Sequence, residues 1–193
     1  MFLRFDMKLK MLLSLMLILG SCINSQDQIT ENTKLNPTEG NPQGPFYRKE
    51  SPFRAILIQH NSEGQRLHIS GYVKDTEGKP VANAIIDIWH ADNNGLYDND
   101  TPDFNCRGKV KTNEDGLYFF DTILPAHSES RPAHIHFTIT AEGYNKLTTQ
   151  LYFKSGDQRN EEDPNVRKSL MIEAKEGSNH ILEGEFNIVI IKR

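Results

Sequence analysis

Two histidines stand two positions apart in the run His134-Ile135-His136-Phe137-Thr138-Ile139-Thr140. In an extended chain the side chains at i and i+2 share a face. Ile135, Phe137 and Ile139 therefore point one way, while His134 and His136 stand side by side on the other. Imidazole is a common metal donor, and two at this separation suit a single metal ion. A lone His-x-His pattern also occurs as two surface residues on a half-exposed strand, so the pair gains meaning only from its company. Arg131 precedes it in Arg-Pro-Ala-His-Ile-His, and Gln150 places a polar side chain inside the β-rich run Thr-Thr-Gln-Leu-Tyr-Phe. Tyr97 lies in the turn-rich segment 92–98, shortly after an apolar run ending at Trp89.

The elements that must position these residues read as strands joined by turns. Residues 67–74 alternate, with Leu67, Ile69 and Val73 on one face, and 84–89 (AIIDIW) follow after the turn chemistry of Asp75–Pro80. Asn113–Gly116 marks another turn before Leu117–Phe120, and 134–140, 147–153 and 186–191 complete the set. Short strands at this spacing predict an all-β antiparallel sandwich with at most one short helix, placed at 164–174. The chain has no internal repeat, no phosphate-cradling glycine loop and no Gly-x-Ser-x-Gly elbow.

Taken in order, GPFY at 44–47, GYVKDTEGKPVANAIIDIWHADNNGLYDN, GKVKTNEDGLYFFDTILP, RPAHIHF and GYNKLTTQLYFKSGD resemble the core of the intradiol ring-cleavage dioxygenases. The resemblance implies a non-haem Fe(3+) site held by two tyrosines and two histidines. Tyr97, His134 and His136 fall on three of those ligands. Arg131 falls on the arginine that stabilises substrate charge, and Gln150 on a glutamine lining the site. The second ligand tyrosine has no counterpart: Ser128 occupies its column, His127 stands beside it, and either His127 or water is left to complete the coordination. The implied reaction takes a catechol-type aromatic and O2, opens the ring between the hydroxyl-bearing carbons and yields a muconate-type diacid. The alternative is a non-catalytic β-sandwich lipoprotein that keeps the scaffold and binds a metal or ligand. Trp89 reads as core, and Tyr47 as a packing or substrate-contact residue.

The remaining features bound the setting. The chain has 193 residues with a formal net charge of −4, and no basic run marks a nucleic-acid partner. Residues 1–21 have a charged start and an apolar stretch, the layout of a secretory signal. The stretch ends Leu19-Gly20-Ser21-Cys22, which resembles a bacterial lipobox with Cys22 as the lipidated residue. The expectation is an extracytoplasmic, membrane-anchored protein of the cell envelope, with a flexible tether at 22–43 and the folded domain at 44–193. With Cys22 lipidated, Cys106 has no disulfide partner and reads as a buried free thiol. His60, His68 and His180 read as surface residues, and nothing assigns His90 a role.

Overall fold

The alternating run that carries the histidine pair forms a central strand, β5 (His134–Thr140). The structure is a computed structural model that describes residues 34–193. The signal segment, Cys22 and the tether as far as residue 33 lie outside the described residues. Before β5 come β1 (Arg66–Asp75), β2 (Ile85–His90), β3 (Arg107–Lys111) and β4 (Leu117–Ile123). After it come β6 (Leu147–Phe153), the helix α1 (Arg159–Glu162), β7 (Met171–Ile172), β8 (Lys175–Glu176), β9 (Leu182–Glu185) and β10 (Ile188–Ile190).

The expected sandwich is the observed fold. One sheet runs β3-β2-β5-β6-β7. In the other, β1 pairs with β4 on one side and with β9 and β10 on the other, and β8 flanks β9. Apolar side chains from the two inner faces make the core: Ile69 and Phe120 from one sheet meet Ile88, Ile135, Phe137 and Leu151 from the other, all fully buried. The Phe120 and Phe137 rings cross it edge to face at 6.0 Å. Leu67, Ile69 and Val73 are all buried, as their alternation predicts.

The structure departs from the sequence reading at the periphery. Among the described residues the one α-helix is the single turn α1, and 164–174 instead holds a 3-10 turn at Lys168–Leu170 followed by β7. The reason is tertiary: β7 pairs in parallel with β6, and Leu170 is drawn into the core. Strand β3 went unread because Arg-Gly-Lys-Val-Lys shows little apolar alternation. The pairings of β1 with β9 and β10 are parallel, so the sheet is mixed at that edge. Residues 34–43, expected in the tether, hydrogen-bond to the sandwich through Leu35, Thr38 and Asn41, whose amides donate to Thr76, Val189 and Thr148. Backbone pairing of this kind needs no apolar side chain, which is why composition did not reveal it.

His90 ties the two sheets together inside the core. Its Nδ1 donates to the Ala91 carbonyl at 2.7 Å, leaving Nε2 to accept from the Thr122 hydroxyl at 2.7 Å. Burial pushes its pKa down to about 4. The unfolded chain, with histidine near 6.5, binds more protons than the fold between these values, so stability falls as pH drops through that window. Without metal, the unfolding free energy is expected to decline by about 3 kcal/mol on this account between pH 6.5 and 4. Urea titrations across that range check it, and His90→Gln should flatten the slope relative to the parent.

Candidate metal centre

His134 and His136 lie on the outer face of the β3-β2-β5-β6-β7 sheet, yet they are only 3% and 2% exposed. That burial removes the surface-residue reading of the pair. The strand register assembles their surroundings: Trp89 of β2 and Gln150 of β6 sit opposite His136, and Tyr152 of β6 sits opposite His134. Trp89 stacks flat on the His136 ring, with centroids 4.8 Å apart and planes within 8°. His134 donates from Nδ1 to the Pro132 carbonyl at 2.6 Å, which fixes its tautomer and leaves an Nε2 lone pair facing outward.

Tyr97 arrives from the loop between β2 and β3. Asp92 shapes the start of that loop by accepting from the amides of Asn94 and Leu96 at 2.8 and 2.9 Å. Gly95 has a φ of +81°, and a Cβ there would come within 2.3 Å of the His127 carbonyl oxygen. Only glycine lets the two loops approach so closely. Asp98 holds the far side, accepting from Arg48 Nη1 at 3.1 Å and from the Asn105 amide at 2.7 Å. Phe46 then stacks on the Tyr97 ring at 4.4 Å and covers it.

Three donor atoms converge as a result. Tyr97 Oη lies 3.1 Å from His134 Nε2 and 3.2 Å from His136 Nε2, and the two Nε2 atoms are 3.1 Å apart. Burial, with the Arg131 charge, pushes the His134 pKa down to about 4. Burial and the neighbouring His134 hold His136 well below the usual range as well. Both rings are therefore neutral donors. Three potential donor atoms crowd one point with a single phenol proton among them, an arrangement that suits a shared cation. Donors about 2.0–2.1 Å from one metal centre and at right angles stand about 3 Å apart, the spacing found here. Burial pushes the Tyr97 pKa up to about 12. A cation among the three donors would reverse that shift and favour the phenolate. The donor set of two imidazoles and one hard phenolate oxygen fits a ferric ion.

Arg131 borders this triangle. Its Nη1 donates to His134 Nε2 at 3.1 Å, and its Nη2 to Gln150 Oε1 at 2.7 Å and Tyr152 Oη at 2.9 Å. Its Nε donates to Asp163 Oδ2 at 2.7 Å. Gln150 in turn donates to the Pro42 carbonyl at 2.9 Å. Tyr152 and Asp163 were not singled out in the sequence. Tyr152 was findable, since it shares a strand face with Gln150 at i+2. Asp163 lies 32 positions from Arg131 with no local signal pointing to it. Phe46 also escaped notice, although it lies within the GPFY segment.

Beside the triangle lies a cleft of about 150 Å³, lined by Gly44, Pro45 and Phe46 on one wall and by Ser128, Glu129 and Arg131 on the other. Of the two candidates for the missing ligand column, Ser128 is buried and lines the cleft, whereas His127 is exposed and does not. The two alternate on a short extended segment closed by the Ser128–Arg131 bridge, so only one faces inward. Tyr47 packs, with its hydroxyl on Asp87 at 3.1 Å and its ring edge-on to Trp89. Cys106 is a buried free thiol, as expected. His60 and His180 are exposed, and His68 pairs with Asp121 at 2.7 Å, away from the cleft.

The chain is similar to known proteins along most of its length. Residues 43–190 match the family model described as "Dioxygenase". Chlorocatechol 1,2-dioxygenase of Rhodococcus opacus is 32% identical over 167 residues, covering 72% of this chain and 65% of that protein. Hydroxyquinol 1,2-dioxygenase of a Rhizobium species is 30% identical, covering 78% and 57%. Among solved structures, the dioxygenase domain of a carbohydrate-binding fusion protein from Streptomyces sp. SirexAA-E superposes with a TM-score of 0.76 at 33% identity, covering 82% of this chain and 100% of that one. The 3-chlorocatechol 1,2-dioxygenase of Rhodococcus opacus 1CP gives 0.74 at 29% identity, covering 84% and 75%. The chain spans about half to two thirds of the length of the curated relatives it matches.

Asp163 is the anchor of the Arg131 arrangement, and its side chain is only 4% exposed. Burial raises its pKa, but hydrogen bonds from Asn165 and Arg131 outweigh that effect and hold it below the usual carboxylate range. Asp163→Asn should therefore lower the unfolding free energy by about 1–3 kcal/mol, discounted because Arg131 is partly solvated. Asp157→Asn, on a half-exposed ion pair with Arg159, should cost under about 1 kcal/mol. Denaturant unfolding of the two variants at neutral pH checks the contrast.

Proposed function

This chain belongs to the intradiol ring-cleavage dioxygenases, and from that premise we propose that it is an Fe(3+)-dependent dioxygenase acting on a single-ring catechol outside the cytoplasm. The observation that carries the reading is the convergence of Tyr97 Oη, His134 Nε2 and His136 Nε2 at 3.1–3.2 Å beside the Arg131 guanidinium. The proposed reaction consumes one catechol and one O2. The bond between the two hydroxyl-bearing carbons breaks, and both oxygen atoms enter the diacid product.

Tyr97, His134 and His136 would hold the iron, with both histidines entering as neutral rings. Ferric iron acts as a Lewis acid that lowers the pKa values of two vicinal hydroxyls presented to it. The protein's own groups do the rest. Arg131 places a fixed positive charge at the edge of the cleft, where a deprotonated catechol oxygen gains most from it. Asp163, Gln150 and Tyr152 hold that guanidinium from three sides, so its position requires no reorganisation when substrate enters. Pro45 and Phe46 offer an apolar wall to the ring face and keep water from the donors. The cleft, at about 150 Å³, has the volume of a site for one aromatic ring, which favours monocyclic catechols.

Ferric loading followed by oxygen uptake with catechol tests the reading. The parent should retain iron through gel filtration, absorb visible light through Tyr97 and consume oxygen. His134→Ala and His136→Ala should each lose iron and more than about 100-fold in rate, while His68→Ala should match the parent. Iron retained without oxygen uptake on any catechol would favour the binding-protein alternative. The signal segment and Cys22 support the envelope location, with lipid on Cys22 as the anchor. Cys22→Ala should move the protein from the detergent-rich to the aqueous phase on partitioning, and an unchanged distribution would reject the anchor.

A further inference from the structure

The turn that carries Ser128 also carries the one carboxylate lining the cleft. Ser128 and Arg131 form a β-bridge, with each amide donating to the other's carbonyl at 3.2 and 3.0 Å, and Glu129 and Ser130 make the two-residue tip. Glu129 holds a φ of +53°, a left-handed conformation that L side chains with a Cβ rarely adopt. The two-residue tip of a bridged turn requires a positive φ at its first residue, and this sets the carboxylate at the rim of the site. The side chain lines the cleft with Tyr97, His134 and His136. It makes no hydrogen bond or ion pair among the described residues, and the nearby cation Arg131 is taken by Asp163 instead.

We propose that the Glu129 carboxylate is the fourth protein donor to the iron held by Tyr97, His134 and His136, an anionic oxygen supplied one residue from Ser128. This inference rests on the ferric reading above. The described residues contain no group of three His, Cys, Asp or Glu already gathered for a metal, so the proposal requires the Glu129 carboxylate to move onto the site as the ion enters. An exposed glutamate at the tip of a two-residue turn has the freedom to do so. The charge arithmetic favours it: a trivalent ion with one phenolate and two neutral imidazoles keeps two uncompensated positive charges, and a carboxylate removes one. Carboxylate and phenolate are both hard oxygen donors, which is the preference of a ferric ion. Ser128, by contrast, offers a neutral hydroxyl that would stay protonated unless the metal forced it.

The test reads metal binding and colour rather than turnover. Full-length protein and its Glu129→Gln, Glu129→Ala and Ser128→Tyr/Glu129→Gln variants are titrated with ferric iron against a competing chelator, and the visible band is recorded. Glu129→Gln and Glu129→Ala should each weaken ferric affinity at least ten-fold. The Tyr97 band should move to longer wavelength, because an iron with one fewer anionic donor accepts phenolate electrons more readily. Ser128→Tyr/Glu129→Gln should recover affinity and strengthen the band. Thermal unfolding of the metal-free variants, expected to match the parent, shows that the turn itself is intact. If affinity and band are unchanged in both single variants while His136→Ala loses iron, Glu129 is not a donor and the ferric centre stands without it. If the parent takes up no ferric iron and shows no band, the ferric reading falls, and this inference falls with it.

Discussion

The arrangement turns on one demand: two imidazoles and a phenol must be kept dry with their donor atoms facing one another. Strand β5 has two faces, and the inner one is already committed to the core through Ile135, Phe137 and Ile139. The histidines therefore occupy the outer face, where a sandwich normally meets water. Covering that face keeps both rings neutral and their lone pairs available, since a buried imidazolium is costly. The same cover raises the Tyr97 pKa, so the protein alone leaves the phenol protonated and the site electrostatically unfinished. A cation would complete it.

The cover comes from segments with little regular structure. Residues 34–47 run along the sandwich and are fastened by backbone and polar side-chain bonds, including Asn41 Nδ2 to the Asn165 carbonyl at 2.8 Å and Gln150 to Pro42. The segment ends by laying Phe46 on Tyr97 and Tyr47 against Trp89. Gly44 passes close to His136 at a φ of +75°. The loop from Asp92 to Asn105 closes the opposite side, anchored by Asp98 and by Arg48 lying 4.1 Å over the Phe104 ring. The 44–47 wall of the cleft belongs to such a segment and can vary while the two histidines stay fixed on β5.

Arg131 joins these layers. One guanidinium touches the His134 ring, the β6 pair Gln150 and Tyr152, and Asp163 beyond α1. Asp163 also accepts from the Asn165 amide and side chain at 2.8 and 3.0 Å, and Asn165 is in turn bonded by Asn41 of the N-terminal segment. The charge in the cleft is thus held by the same network that fastens the cover, which couples positioning to closure. The partners are side chains on fixed backbone rather than water, so little reorganisation is left for the bound state.

How much of this could be read from the chain alone depends on the range of the interaction. The two-residue period of β5 and β6 is local, and it was enough to set His134 beside His136, to place the apolar residues inward and to indicate a sandwich. The order of Tyr97, Arg131, the histidine pair and Gln150 was likewise legible, because motifs keep their spacing along the chain. The fate of 164–174 was not, since a parallel pairing with β6 and the burial of Leu170 overrode a weak helical pattern. Nor was the choice between His127 and Ser128, neighbours whose side chains point apart only once the Ser128–Arg131 bridge sets the turn. Asp163, Phe46 and the docked residues 34–43 meet their partners across 32 to more than 100 positions, with no periodic trace to mark them. Sequence by itself determined which donors exist and which strand face they share. Only the tertiary structure decided what covers them, because burial and hydrogen bonding between distant segments follow from packing in three dimensions rather than from any local repeat.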